Sequence, residues 1–428
     1  MAFMEQALEI LGSVPLIDGH NDWPHLIRGF YDNHLDDRFQ SSNDLVGHVD
    51  VKRLKEGKSG GAFWSVYIDC PDSNEFTDDA HLEILRDTMQ QIDLVHRLAE
   101  MYSDQMEIVE HSSDIMRLFK AGKFASLIGV EGLHQIANSA SVLRLYYKLG
   151  VRYVTLAHNK NNLYADSAVS AQDIVDARSS SWNKDIQFTG SWWPFLARDS
   201  DDSRNESHRN VSKYLPSIVG HIYFMDTEMN CRIIDLSHTS EAVMHRVLDI
   251  SEAPVIFSHS SIASIVPHVR NVPDDVLKKL KMNNGVIMIT LIPSLIHGEA
   301  SKANVDHLVD HIMYAGNLIG YNHIGLGSDY DGMLSAVQGV EDVSKWPDLV
   351  AKMLERGISR CNIEKVLGLN IIRVLEAAEG CASKLKSNKA LVMEDDVKQL
   401  WNDKFRAMVE GVYPHAEKSR RGVTERSD

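Results

Sequence analysis

The 428-residue sequence predicts an α/β fold: a closed (β/α)8 barrel of the TIM type, with a long insertion after its fourth strand and extra C-terminal helices. Three observations predict it. Eight short apolar, β-branched stretches recur along the chain, each runs into a polar cluster, and segments of helical periodicity fall between them.

The first stretch is LIDGHND (16–22) and the second GAFWSVYIDC (61–70). Between the second and third lies DDAHLEILRDTMQQIDLVHRLAEMY (78–102), apolar at three- and four-residue spacing, with Asp78 and Asp79 at its dipole-favoured start. The third stretch is FASLIGVEG (124–132). The segment after it, SASVLRLYYKLG (139–150), opens on serine and closes on glycine, as helices do. RYVTLAHN (152–159) is the fourth stretch, after which residues 167–213 break the rhythm. They are polar and turn-rich with clustered tryptophans, an insertion that lies beside the mouth of a barrel as a lid or as a plain surface loop. RIIDLSHTS (232–240), PVIFSHSS (254–261), GVIMITLI (285–292) and HIGLGSDYDG (323–332) complete the set. Helical patterns flank the eighth stretch. NIEKVLGLNIIRVLEAAEG and MEDDVKQLWNDKFRAMV read as helices packed on the barrel, so residues 1–428 form one domain in which 380–428 is a helical extension.

Composition narrows the partners. With 44% hydrophobic and 24% charged residues the chain is globular, neither disordered nor fibrous. Lysine plus arginine is 44 against 60 acidic residues, a net charge of −16, and such a chain gains nothing from counterion release on nucleic acid. The longest apolar run, GVIMITLIPSLI (285–296), is too short to span a bilayer and is broken by Thr, Pro and Ser. Glu5 and Glu9 stand where a secretory leader carries positive charge, and the C-terminus is too polar for a lipid-anchor signal. The four cysteines are far apart. Together these features lead to the expectation of a cytoplasmic protein with reduced thiols and no membrane partner.

Histidines and carboxylates gather at the ends of the predicted strands: His20 and Asp22 on the first, Glu131 on the third, His158 on the fourth, His238 on the fifth, His259 on the sixth and Asp329 on the eighth. In a (β/α)8 barrel these ends open on one face. His20 and Asp22, two apart, point the same way and can share an ion. Glu131 sits between glycines, free to reach two ions. Each residue alone has a plainer reading, a turn-capping histidine or a helix-start acid. Jointly, three imidazoles and two carboxylates suit zinc, and one bridging carboxylate makes a two-ion site that can share a hydroxide and clamp a scissile carbonyl.

Asp329 comes from the far side of this set, where it can take a proton from the attacking water and pass it to a leaving amine. Asp331 competes, since odd–even spacing gives both the same direction; the plain reading of either is a turn-forming aspartate before Gly332. His158 can donate to an oxyanion. Arg270 can pair with the terminal carboxylate of a small substrate, or tie its loop to the helix that Pro273 and Asp274 begin. On the residues alone the second role is slightly the stronger.

Taken in order, LIDGHND, GVEG, TLAHN, IDLSHTS, PVIFSHSS, RNVPDD and GLGSDYDG closely resemble the membrane (renal) dipeptidase family, zinc dipeptidases on the metal-dependent amidohydrolase barrel. The resemblance runs from about Pro15 to Glu379. It implies two Zn2+ per subunit, one held by His20, Asp22 and Glu131 and one by Glu131, His238 and His259. It also implies that His158 and Arg270 bind substrate, that Asp329 is the acid/base, that free dipeptides are cleaved, and that subunits pair as homodimers. Exported members carry a leader, an anchor tail and a disulfide from the cysteine matching Cys70 to one just after the strand-four histidine, where this chain has Lys160. A tyrosine that members place after strand seven is replaced near Ile292 and Pro293. The chain looks like leaderless fungal relatives that trim Cys-Gly units from glutathione conjugates in secondary metabolism. Two other readings keep the barrel: an amidase or lactamase on a bulkier amide metabolite, and a non-catalytic ligand-binding barrel.

Overall fold

Nine strands, all paired in parallel, make one sheet in the computed structural model, which describes residues 2–40, 42–71, 78–170, 233–387, 395, 400–413 and 415. They are β1 (Leu16–Asn21), β2 (Ser59–Val66), β3 (Met106–Ile108), β4 (Phe124–Glu131), β5 (Val151–Thr155), β6 (Ile233–Asp235), β7 (Ile256–Ser260), β8 (Val286–Ile289) and β9 (Ile324–Leu326). The order is β2-β1-β9-β8-β7-β6-β5-β4-β3, and β2 also pairs with β4, so eight strands close on themselves. The eight apolar stretches are those eight strands. β3 pairs outside the ring with β4 alone; three residues long and partly exposed, it carries no apolar run to announce it.

The barrel strands are buried along almost their whole length because helices cover the outside and side chains fill the inside. The expected helices are present at Asp78–Met101, Ala140–Lys148, Val305–Ile319, Trp346–Glu355 and Asn370–Ser387. Ser139 caps the second of them, its hydroxyl accepting from the Val142 amide at 3.2 Å. An N-terminal helix, Ala2–Leu11, buries Ala7, Ile10 and Leu11 against Trp346–Glu355. Among the described residues no helix is long and apolar enough to cross a membrane.

Residues 1–393 form one unit and 394–428 another. Within the second unit, helix Asp403–Val412 starts at Asn402, whose side chain accepts from the Phe405 amide at 2.9 Å. Residues 171–213 of the expected insertion, and Cys231, lie outside the described residues.

Strand ends differ in one way that matters for the site. β5, β6 and β9 stop three residues before His158, His238 and Asp329, so these three sit on the loops that leave the strands. His20, Glu131 and His259 lie within their strands, and Asp22 lies one residue beyond β1. All belong to the C-terminal face, where a barrel assembles its chemistry.

Candidate active site

β1 delivers His20 with its Nε2 buried and without a hydrogen-bond partner. Asp22 follows at the start of helix Trp23–Tyr31 but does not cap it, which leaves its carboxylate for the site. Its Oδ2 lies 3.3 Å from His20 Nε2, and its buried Oδ1 is unpartnered. Glu131, the last residue of β4, stands between two groups. Oε2 is 3.6 Å from His20 Nε2, whereas Oε1 is 3.1 Å from His238 Nε2 and 3.4 Å from His259 Nε2. Asp329 Oδ1 closes the first group at 3.7 Å from His20 Nε2.

The donor chemistry fits divalent cations. Burial, above all else, holds His158, His238 and His259 neutral, far below the ordinary histidine pKa. His238 Nε2 and His259 Nε2 face each other at 2.9 Å, while the far nitrogen of each ring is engaged. His238 Nδ1 donates to Asn159 Oδ1 (3.2 Å), and His259 Nδ1 meets Ser258 Oγ (2.8 Å), whose own proton goes to Asp235 Oδ2 (2.7 Å). Both Nε2 atoms therefore present lone pairs toward Glu131, an arrangement that a metal ion satisfies and a hydrogen bond does not. Burial opposes charge on His20, but Asp22 and Glu131 outweigh it and raise its pKa to about 10. A cation among the same oxygens would supply that positive charge instead and leave Nε2 free to ligate. Burial, reinforced by Asp22, also lifts the Glu131 and Asp329 carboxyls above their usual range.

Donor atoms of three overlapping sets approach within 4.8 Å of one another: His20–Asp22–Glu131, His20–His259–Asp329 and Glu131–His158–His238. A fourth, Glu241–His245–Asp275, is a surface group of two exposed acids and a half-buried histidine.

Arg270 is buried beside this cluster with Nη1 unpartnered. Burial lowers its pKa, and Asp329 and Glu131 are the first charges that oppose the shift. It does not tie its loop. Asn271 does so instead, donating to Val266 O (2.9 Å) and Leu295 O (3.0 Å), and Asp274 is occupied by Ser264 and Tyr314.

The family profile described as Membrane dipeptidase (Peptidase family M19) matches residues 4–184 and 226–389. The chain belongs to the membrane dipeptidase family. Dipeptidase tcpJ of Claviceps purpurea (strain 20.1) is 49% identical over 446 residues, spanning 99% of this chain and 95% of that protein. Dipeptidase verJ of Clonostachys rogersoniana is 43% identical over 408 residues, 94% of each. Among solved structures, the probable dipeptidase PvdM from Pseudomonas aeruginosa shares the fold, with a TM-score of 0.71 at 20% identity over 89% of this chain and 99% of that one.

On this membrane-dipeptidase barrel one sequence expectation needs correction. Asp329 and Asp331 do not point the same way. Both lie past the end of β9 with left-handed backbone (φ 66° and 68°), where strand alternation no longer applies. Asp329 turns toward His20, whereas Asp331 Oδ1 accepts from the His48 amide at 2.5 Å. His238 is left-handed as well (φ 66°), and such non-glycine residues cost about 1–3 kcal/mol each unless their surroundings hold them.

Cys70 is a free thiol, pushed up to about 11 by burial, with Sγ 3.8 Å from His158 Nδ1. Lys160 donates to Pro71 O (2.7 Å), linking the loop after β5 to the segment after β2 without a covalent bond. Sequence reasoning passed over the layer behind the ligands. Tyr153 Oη lies 2.8 Å from His20 Nδ1, its ring filling space that a Cβ on Gly129 would invade at 2.2 Å. Asp235 gathers Thr155, Ser237 and Ser258 beneath His259. The only sequence signal was the buried acid in IIDLSH, three residues ahead of His238. Tyr153→Phe is expected to weaken divalent-metal binding about tenfold to a hundredfold with the fold intact. Competition against a chromophoric chelator measures this, and unchanged affinity would remove Tyr153 from the role.

Proposed function

We propose that the chain is a dinuclear zinc dipeptidase that hydrolyses free dipeptides in the cytoplasm, Cys-Gly units of glutathione conjugates among them. The observation that carries this reading is the split of Glu131, one oxygen toward His20 and the other toward the His238–His259 pair. His20, Asp22 and Glu131 would hold one ion, and Glu131, His238 and His259 the second. Bound there, the ions would polarise the scissile carbonyl and lower the pKa of a water for attack.

The protein groups supply the rest. Asp329, its carboxyl raised by burial, accepts the proton of the attacking water and returns it to the leaving amine. His158, kept neutral by burial, donates a hydrogen bond to the developing oxyanion. Arg270 offers its unpartnered guanidinium to the terminal carboxylate. Recognition of both charged ends at a fixed distance limits cleavage to dipeptides. Family membership and relatives named as dipeptidases support the substrate class. The Cys-Gly choice rests on the sequence resemblance to fungal relatives.

A panel of Cys-Gly, S-substituted Cys-Gly, other dipeptides and their N-acyl forms, with and without added zinc, tests this reading. Free dipeptides should be cleaved in a zinc-dependent manner and N-acyl dipeptides spared. Preference for an N-acyl or cyclic amide would favour the amidase or lactamase reading. Arg270→Ala should raise KM about 10–100-fold for free dipeptides, the value of a charged hydrogen bond. A dipeptide amide, lacking the carboxylate, should lose nothing further in that variant.

A further inference from the structure

We propose that Asp331 is a positioning residue for Asp329, acting through Gly47 and His48 of the loop that precedes helix Val51–Glu56; the proposal rests on Asp329 as the proton-transfer group. Asp331 and His48 hold each other reciprocally. The His48 amide donates to Asp331 Oδ1 (2.5 Å), and the Asp331 amide donates to His48 Nδ1 (3.1 Å). The imidazole packs on Tyr330, the residue between the two aspartates, at 5.4 Å between ring centroids.

Both partners are anchored. Arg53 fastens the loop, donating to Gly47 O (2.6 Å), Leu45 O (2.9 Å) and Asp50 Oδ2 (2.7 Å). On the other side, the Asp329 amide donates to His20 O (3.0 Å), and Tyr330 O accepts from the Asp22 amide (2.8 Å). The segment 329–331 is therefore clamped between the strand that carries His20 and the loop that carries His48.

Space is as tight as the bonding. Gly47 has φ 96°, and a Cβ there would lie 2.5 Å from Asp331 Oδ1 and 2.2 Å from Leu26 Cδ2. A Cβ on Gly332 would lie 2.4 Å from Asp22 Oδ2 and 3.2 Å from Asp329 Oδ1. Two left-handed non-glycine residues flanking Tyr330 relax to ordinary backbone when nothing restrains them, and that relaxation swings Asp329 away from His20. Asp331 supplies the restraint as a hydrogen-bond acceptor, not as an acid.

Because its role is to accept, the amide isostere should replace it. Asn tolerates left-handed backbone and keeps an oxygen for the His48 amide. With zinc-loaded enzyme and the dipeptide it cleaves fastest, Asp331→Asn should retain kcat within about threefold. Asp331→Ala and Gly47→Ala should each lower kcat about 10–100-fold through misplacement of Asp329, with KM within about twofold. Bound zinc should be the same in all three. Asp331→Asn as damaging as Asp329→Asn would overturn the proposal and make Asp331 a reacting group. Unchanged kcat in Asp331→Ala, or a kcat loss matched by zinc loss, would also overturn it. Thermal melting shows which variants fold; if Asp331→Ala does not, Gly47→Ala and Asp331→Asn still decide. Full activity of Asp329→Asn marks failure of the underlying assignment, separately from the brace.

Discussion

Asp329→Asn is expected to lower kcat about 10²–10⁴-fold, the usual contribution of a positioned proton-transfer group, while the protein keeps its metal. Asparagine preserves the size of the side chain and accepts the left-handed backbone of residue 329, so the loop should stay in place. It cannot accept the proton that the attacking water must lose. In the proposed reaction that proton goes to Asp329, and two features support the assignment. Its Oδ1 stands 3.7 Å from His20 Nε2, and burial with the adjacent Asp22 charge raises its carboxyl, bringing it nearer to a proton carrier that works around neutral pH. Steady-state kinetics paired with metal analysis read the result. Normal turnover with full metal would refute the role, and loss of metal would make Asp329 a ligand.

Glu131→Gln should remove metal and activity together. The amide has one acceptor oxygen and one NH2 group, so whichever way it turns it presents donors to one side of the site. One side is His20 with Asp22; the other is two imidazole lone pairs 2.9 Å apart. An NH2 group cannot ligate a cation on either. The loss of Lewis-acid stabilisation amounts to several kcal/mol, about 10³-fold or more in turnover. His238→Ala should act in the same direction by deleting one imidazole of the second group. Zinc content by mass spectrometry and turnover on the same sample check both variants. Full zinc in Glu131→Gln would show that the carboxylate bridges nothing.

The barrel was legible because burial on both faces writes itself as uninterrupted apolar runs, which is why all eight ring strands stood out and three-residue, half-exposed β3 did not. His20 and Asp22 were legible through their two-residue spacing at the end of one strand. The gathering of Glu131 with His238 and His259 was legible only through the barrel itself, since nothing local relates Glu131 to residues more than a hundred positions further on. Past the strand ends local rules failed. Asp329 and Asp331 share a parity yet diverge, because left-handed backbone at both replaces alternation with a turn. Arg270 read toward substrate only through the resemblance, because its own neighbourhood in sequence could not show that Asn271, next to it, already holds that loop. Tyr153 stayed hidden since its partner lies across the barrel, on a strand 133 residues away.

Anomalous diffraction at the zinc absorption edge, from crystals of the zinc-loaded protein, decides whether Glu131 joins two ions. Two peaks are expected, one beside His20 and Asp22 and the other beside His238 and His259, each within bonding distance of a different Glu131 oxygen. A single peak, or peaks that leave Glu131 uncoordinated, would contradict the dinuclear site.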